Sequence, residues 1–336
     1  MAKRNIWLDI FKIFLCFLVI CIHYVRQLYD HFPVYRIAVV CFFMISGYFI
    51  YTKDQEKTEI KAFNFLRRSF VYMMIGIVVY FVFDFVVCIY ENKPLDEFFK
   101  SQYYSNFYKY FFIYNYQLSN TGNHLWFLIA LFVVSIVHYV LVKFKLLKVY
   151  PLIVLFTLSI HFIFNGYLPY FEELDVSLYY LRNALFMGLP LFGIGYLMAQ
   201  VNFHPKWWLK YLYLALGILF FFLQIVDADG RILEMYPTGI LSSIFLLQFF
   251  IGLKPVNSNW YYKWFGKNMY FYIYLLHVMV GYSLTKMYEI KNSYSKAFLV
   301  LLISFIIYEC IYLLICFFKK VIVVFKKKKY KTIQCD

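Results

Sequence analysis

Residues 7–24 read WLDIFKIFLCFLVICIHY. The run is long and apolar enough to cross a bilayer, which takes about 20 such residues. Yet it carries Asp9, Lys12 and His23. Ionisable side chains inside a membrane cost free energy, so each is a candidate functional residue. An α-helix turns about 100° per residue, so the step from Lys12 to His23 is three turns plus about 20°. The two share one face, about 16 Å apart along the axis. Asp9 stands one turn before Lys12, within reach of it on the same side. One face therefore carries a charge pair towards one end and a lone histidine towards the other. Two readings compete for it. In one, the pair is structural and His23 bonds a neighbouring carbonyl. In the other, the face lines a site.

The rest of the chain fits a membrane setting. Of 336 residues, 63% are hydrophobic and only 15% charged, and the mean hydropathy is +0.66. Soluble domains are nearer half apolar. We read an all-α, polytopic membrane protein with about ten transmembrane helices. They are expected near 6–27, 34–52, 68–91, 124–142, 149–166, 182–201, 208–227, 233–253, 269–287 and 295–318. The fifth, mixed with His161 and Asn165, is the least regular. The start, MAKRN followed by an apolar run, has no small-residue cleavage site, so the first helix is expected to stay uncleaved. With a cytoplasmic N-terminus, 22 of the 33 Lys and Arg fall on cytoplasmic segments. That asymmetry places both termini in the cytoplasm. Residues 1–318 read as one transmembrane domain and 319–336 as a basic cytoplasmic tail resting on anionic headgroups.

The net charge of +15 is explained by this positive-inside bias, so no nucleic-acid partner is expected. The seven cysteines show no CxxC spacing and six lie in apolar runs. Buried reduced thiols are expected there, and no metal site. The longest connection, about 92–123, contains LDEFFKSQYYSNFYKYFFIYNYQ. Its interleaved aromatics suit an interfacial helix, a lid or a plain surface segment.

Other spans add chemistry. The second contains Ser46-Gly47, a small pair that allows close helix approach. FLRRSF brings Arg67 and Arg68 to the start of the third, where they can bind headgroups or a phosphorylated ligand. GNHLWFLIALF opens the fourth, with His124 and Trp126 at its edge, where Trp is ordinarily an interface anchor. GKNMYFYIYLLHVMVGY holds His277, with Tyr270 and Tyr274 on the same face.

LDIFKIFLCFLVICIH, FFMISGYF, HLWFL and YIYLLH, in that order, resemble the membrane acyltransferase family 3. YLRNALFMGLPLFGIGYL at 180–197, with Arg182 at its start, is similar to that family's sixth-helix region. The resemblance covers nearly the whole chain. It implies a ten-helix O-acyltransferase of cell-surface glycans and related acceptors, with acyl-CoA, most simply acetyl-CoA, as donor substrate rather than a resident cofactor. The family's opening pattern of a basic residue, ten residues and a His falls on Lys12 and His23. Two departures stand out: Lys12 where Arg is frequent, and adjacent Arg67 and Arg68, with Tyr72 beyond, where Arg-x-x-Arg is frequent.

Acyl transfer to a hydroxyl needs a base, and a neutral imidazole suits the task. His23 is the expected base, about 25 Å from the inner end of its helix. Lys12, Arg67 and Arg68 are expected to hold the CoA phosphates at an inner mouth. Tyr274, Trp126, His277 and Ser46 are the candidate oxyanion donors. Asp9, Arg182 and His277 are expected to support the site or bind the acceptor. A glycan or lipid-linked saccharide acceptor, membrane lipids and a homo-oligomer or biosynthetic complex are compatible partners, in a bacterial cytoplasmic membrane. The rival readings are a transporter or flippase of a lipid-linked saccharide and a non-catalytic scaffold.

Overall fold

A computed structural model describes residues 5–25, 33–102, 121–164, 181–201, 206–228, 233–254, 268–288, 290 and 292–333. Among the described residues there is no strand. In a bilayer core an apolar chain must satisfy its backbone within each segment, and the helix does this. The elements are α1 (Ile6–Tyr24), α2 (Ile37–Ile50), α3 (Gln55–Tyr90), α4 (Leu95–Gln102), α5 (Trp126–Lys143), α6 (Tyr150–Phe162), α7 (Leu189–Val201), α8 (Trp207–Ala228), α9 (Pro237–Gly252), α10 (Met269–Met287) and α11 (Ser293–Ile333). Short 3-10 turns, Pro33–Arg36 and Asn123–Leu125, lead into α2 and α5, and a π-helical turn, Ala184–Gly188, leads into α7.

Among the described residues, seven helices are long and apolar enough to cross a membrane. The other three expected spans meet α6, α9 and α10, of which α6 and α9 are short for a crossing. Helix α11 runs through residue 318 and on to Ile333.

Lipid tails are as apolar as leucine, so packing and interhelical hydrogen bonds, rather than burial from water, hold such helices together. Helix α2 meets α7 backbone to backbone: a Cβ on Gly47 would collide with the Phe192 carbonyl, and one on Gly195 with the Met44 carbonyl. The expected close approach at Ser46-Gly47 is therefore made by Gly47. Ser69 and Ser135 bond at 2.7 Å and tie α3 to α5. His138 Nδ1 and the Tyr150 hydroxyl bond at 2.8 Å and tie α5 to α6. The Tyr80 hydroxyl donates to the Leu275 carbonyl at 2.7 Å and ties α3 to α10.

Helix α1 is the centre of one side of the bundle and packs on α2, α9, α10 and α11. Asn5 caps its start by accepting from the Trp7 amide and also donates to the Phe250 carbonyl of α9. Helices α1 and α10 run parallel. Cys16 Sγ donates to the Tyr270 carbonyl at 3.3 Å, and eight residues on the Tyr24 hydroxyl reaches the Val278 carbonyl at 3.3 Å. This stagger brings the last turn of α1 level with the middle of α10.

Of the cysteines, Cys16, Cys21, Cys41 and Cys88 are buried and free, as expected. Cys310 is exposed and Cys316 half-buried on the outward face of α11, which corrects the expectation for those two; Cys335 lies outside the described residues. The long connection begins with α4, whose Phe98 is buried against Phe81 and Phe85 of α3. The remainder of that expectation, residues 103–120, lies outside the described residues.

Candidate active site

At the Tyr24 end of α1 the side chains of α1, α5 and α10 converge on a cavity of about 100 Å³. Its lining includes His23, Arg36, Asn123, His124, Trp126, Arg182, Glu234 and Tyr274. His23 is exposed to it.

His23 is not alone. Its ring centre is 5.3 Å from that of His277 and 6.2 Å from that of His124. The His124 and His277 centres are 4.8 Å apart, edge to face. The stagger of α1 on α10 delivers His277. A separate clamp delivers His124: Thr121 donates to Asp84 of α3 at 2.5 Å, the Tyr274 hydroxyl donates to the His124 carbonyl, and the Tyr80 ring packs on the imidazole with centres 4.8 Å apart. Three histidines, from α1, the turn before α5 and α10, thus share one end of the bundle. They do not have metal-binding geometry: among the described residues, no cluster of three His, Cys, Asp or Glu could hold a metal ion.

The polar accounting is unusual. His277 is fully buried. Its Nδ1 lies 2.6 Å from the Tyr274 carbonyl. A carbonyl can only accept, so Nδ1 carries the proton and Nε2 is a lone-pair acceptor. That Nε2 has no partner among the described residues, nor has either ring nitrogen of His124, which is 4% exposed. Each buried group left unpaired costs about 1–3 kcal/mol. Such groups persist where a ligand or a reacting group completes them.

A charged wall lines part of the cavity. Glu234, on the segment before α9, pairs with Arg36 and lies 3.7 Å from Arg182. Arg182 also sits 5.5 Å over the Trp126 ring. Asn183 accepts from the Leu185 and Phe186 amides and so starts the π-helical turn beside Arg182. Turns of this kind are rare and concentrate at functional sites.

The other expected residues separate from this cavity. Asp9 and Lys12 do pair, at 3.2 Å, both buried. Lys12 lies 4.6 Å over the Tyr270 ring. Its ammonium thus lies between the Asp9 carboxylate and that ring. Arg67 and Arg68 are exposed. They sit one turn before Tyr72, which stacks on Phe271 next to Tyr270. They therefore lie near the level of Lys12. Ser46 does not belong to the cavity lining; its hydroxyl bonds back to the Phe42 carbonyl at 2.9 Å. Tyr274 lines the cavity but its hydroxyl is committed to His124. Trp126 is 8% exposed and is a cavity wall, not an interface anchor. Arg182 lines the cavity, and His277 stands beside His23.

Sequence reasoning missed His124, Arg36 and Glu234 as site residues. His124 stood in plain view in the HLWFL motif. Arg36 was counted only as a loop charge, and its partner lies 198 residues away.

A family model described as an acyltransferase domain matches residues 5–318. No curated protein and no solved structure matches the chain.

Proposed function

Because the chain belongs to the membrane acyltransferase family 3 over nearly its whole length, we propose that it moves an acyl group, most simply acetyl, from cytoplasmic acyl-CoA to a hydroxyl of a cell-surface or lipid-linked glycan. The observation that carries this reading is the cluster of His23, His124 and His277, with buried nitrogens left unpaired beside a small cavity. A cavity of about 100 Å³ suits a short acyl group.

His23 is the general base. It is the imidazole open to the cavity, and as the acceptor oxygen bonds to the thioester carbonyl it takes the hydroxyl proton. The C–S bond then breaks, and the same proton goes to the departing thiolate. Developing negative charge on the carbonyl oxygen needs donors placed in advance. Tyr274 and Ser46 have spent their hydroxyls, and His277 presents an acceptor. Trp126 and the neutral imidazole of His124 remain, both on the cavity wall. The Arg36–Glu234–Arg182 wall is the acceptor side, where carboxylate and guanidinium groups can bond sugar hydroxyls.

In the bilayer we place ten spans, with both termini and the Ile6 end of α1 in the cytoplasm, in a bacterial cytoplasmic membrane. Arg67 and Arg68 then hold the CoA phosphates, and the pantetheine arm carries the thioester along α1 to His23. The residues past Phe318 form a basic tail against the inner headgroups. The chain acts as a single transmembrane domain with no resident cofactor.

Inside-out vesicles containing the protein, given acetyl-CoA labelled in the acetyl group, test this. Label is expected in the glycan or lipid fraction with wild type and not with His23→Ala at equal protein level. Equal transfer by both would remove His23 as the base. No transfer and no CoA binding by wild type would favour a transporter.

A further inference from the structure

The mechanism above uses one face of His23 and leaves His277 without a task. His277 is fully buried and its tautomer is fixed by the Tyr274 carbonyl, so a bare acceptor nitrogen points away from that bond. A buried acceptor of this kind calls for a donor. Two rings are near enough. His124 is packed between Tyr80 and Tyr274 and stands edge to face against His277 without forming a bond. His23 is exposed and can turn about its Cβ–Cγ bond. Ring nitrogens stand about 1 Å from their ring centre. Centres 5.3 Å apart therefore bring facing nitrogens to about hydrogen-bond distance.

We propose that His277 is a positioning residue for acyl transfer: its Nε2 accepts a hydrogen bond from one ring N–H of His23 and so turns the other, unprotonated nitrogen of His23 to the cavity. The relay runs from the Tyr274 carbonyl through His277 to His23. It uses a neutral imidazole where many base-orienting arrangements use a carboxylate, which suits a membrane interior in which an added charge is expensive. No proton moves onto His277. When His23 takes the hydroxyl proton, the N–H held by His277 becomes that of an imidazolium and the bond strengthens, which stabilises the charged intermediate. The same bond holds His23 while the proton passes to the CoA thiolate. The inference rests on the acyltransferase reading for its rate effects, but the His23–His277 bond can be tested without turnover.

The experiment uses the full chain as wild type, His277→Ala and His277→Gln. Gln offers a side-chain carbonyl acceptor near the place of Nε2, and it guards against a loss caused only by an emptied core position. Labelled acetyl-CoA in inside-out vesicles gives the rate and the KM for the donor. Nitrogen-15 spectra of histidine-labelled protein in nanodiscs give the tautomers. For His277→Ala the expected result is a fall in kcat of about 100-fold, the lower end of what a positioned base contributes, with KM for acetyl-CoA within about twofold. His277→Gln is expected to recover about tenfold of that loss. In the spectra, His23 is a single neutral tautomer in wild type and His277→Gln, and a mixture in His277→Ala. An unchanged rate in His277→Ala overturns the proposal. So do equal losses in both variants with the His23 tautomer unaltered, which would make His277 purely structural. If wild type transfers no label, the acyltransferase reading fails, and the spectra alone decide whether His277 fixes His23.

Discussion

The two ends of α1 present the same helix face to the same neighbour, α10, and solve the same problem differently. At the Ile6 end, Lys12 has Asp9 at 3.2 Å and the Tyr270 ring beneath it. Charge is neutralised, and the lysine stem fills space against α10. At the Tyr24 end, His23 opens on a cavity while buried nitrogens of His124 and His277 stay unpaired. One end has its polar groups satisfied by its own fold; the other waits for something to complete it. A shared face and a shared partner helix do not give the two ends a shared role.

The largest effects separate the ends. His23→Ala is expected to lower acyl transfer about 10³-fold, within the range of a general base. Its stability should fall by no more than about 1–3 kcal/mol, the most that leaving the buried His277 nitrogen without its donor costs. Lys12→Met should do the opposite. It takes the Lys12 ammonium away from buried Asp9, and breaking one side of a buried pair costs up to about 3–5 kcal/mol. The double change Asp9→Leu with Lys12→Met should regain most of that loss, since matched apolar replacements are often neutral. Thermal unfolding in detergent beside the label-transfer assay reads both quantities. A Lys12→Met protein that is stable but inactive would erase the distinction and return Lys12 to the chemistry.

A smaller effect is expected at the cavity wall. Glu234→Gln keeps the shape but leaves the Arg36 and Arg182 guanidinium groups facing a neutral amide. Loss of a charge-assisted partner in a buried place costs about 1–3 kcal/mol. If the wall binds the acceptor, KM for the acceptor rises while KM for acetyl-CoA does not. A change in the donor KM alone would place the thioester, not the acceptor, against Glu234.

The helices and the Ile6-end half of the comparison were legible because their causes are local. Apolar runs mark the helices, and a three-residue spacing pairs Asp9 with Lys12. The three-turn spacing singled out His23. What could not be read was depth. Nothing in GKNMYFYIYLLHVMVGY says that His277 stands level with His23; the Cys16–Tyr270 and Tyr24–Val278 contacts set that stagger. Nor does a linear reading pair Arg36 with Glu234, since each lies on a connection beside an apolar run and looks like a solvated loop charge. His124 was visible in its motif, yet its place beside His23 depends on how Asp84 and Tyr274 hold the start of α5.

Arg67 and Arg68 sharpen the comparison at the Lys12 level. Both are exposed, so replacing both by Ala should change stability by less than about 0.5 kcal/mol. If they hold the donor's phosphates, KM for acetyl-CoA rises about tenfold or more, the loss of two charge-assisted contacts, and kcat holds. Acetyl-pantetheine, which lacks the nucleotide phosphates, should then react equally well with wild type and variant. A variant that also fails with acetyl-pantetheine would show that the arginines support the fold of α3 rather than the nucleotide.

The smallest expected effect concerns a third arrangement, charged like the Lys12 end but at the rim. Glu91, just past α3, meets Lys286 at 2.5 Å, Lys93 at 2.7 Å and the Tyr282 hydroxyl at 2.7 Å. Its side chain is 17% exposed because these partners cover it, not because it is deep in the bundle. The bonds from Lys286, then Lys93 and Tyr282, hold its carboxyl down from 4.5 to about 2. A carboxyl depressed in the folded state adds stability above its ordinary value, and that contribution is lost as pH falls through the folded value. The junction of α3 with α10 should therefore hold at pH 5 and loosen between about pH 4.5 and 2. Spin labels at Tyr90 and Met287, both exposed, in a background lacking Cys310 and Cys316, would report it as a broadened distance distribution. Glu91→Gln should be broad already at pH 5 and insensitive below it. If wild type and Glu91→Gln coincide at pH 5, the rim network does not hold α3 to α10, and the Tyr80–Leu275 bond deeper in the bundle carries that contact instead.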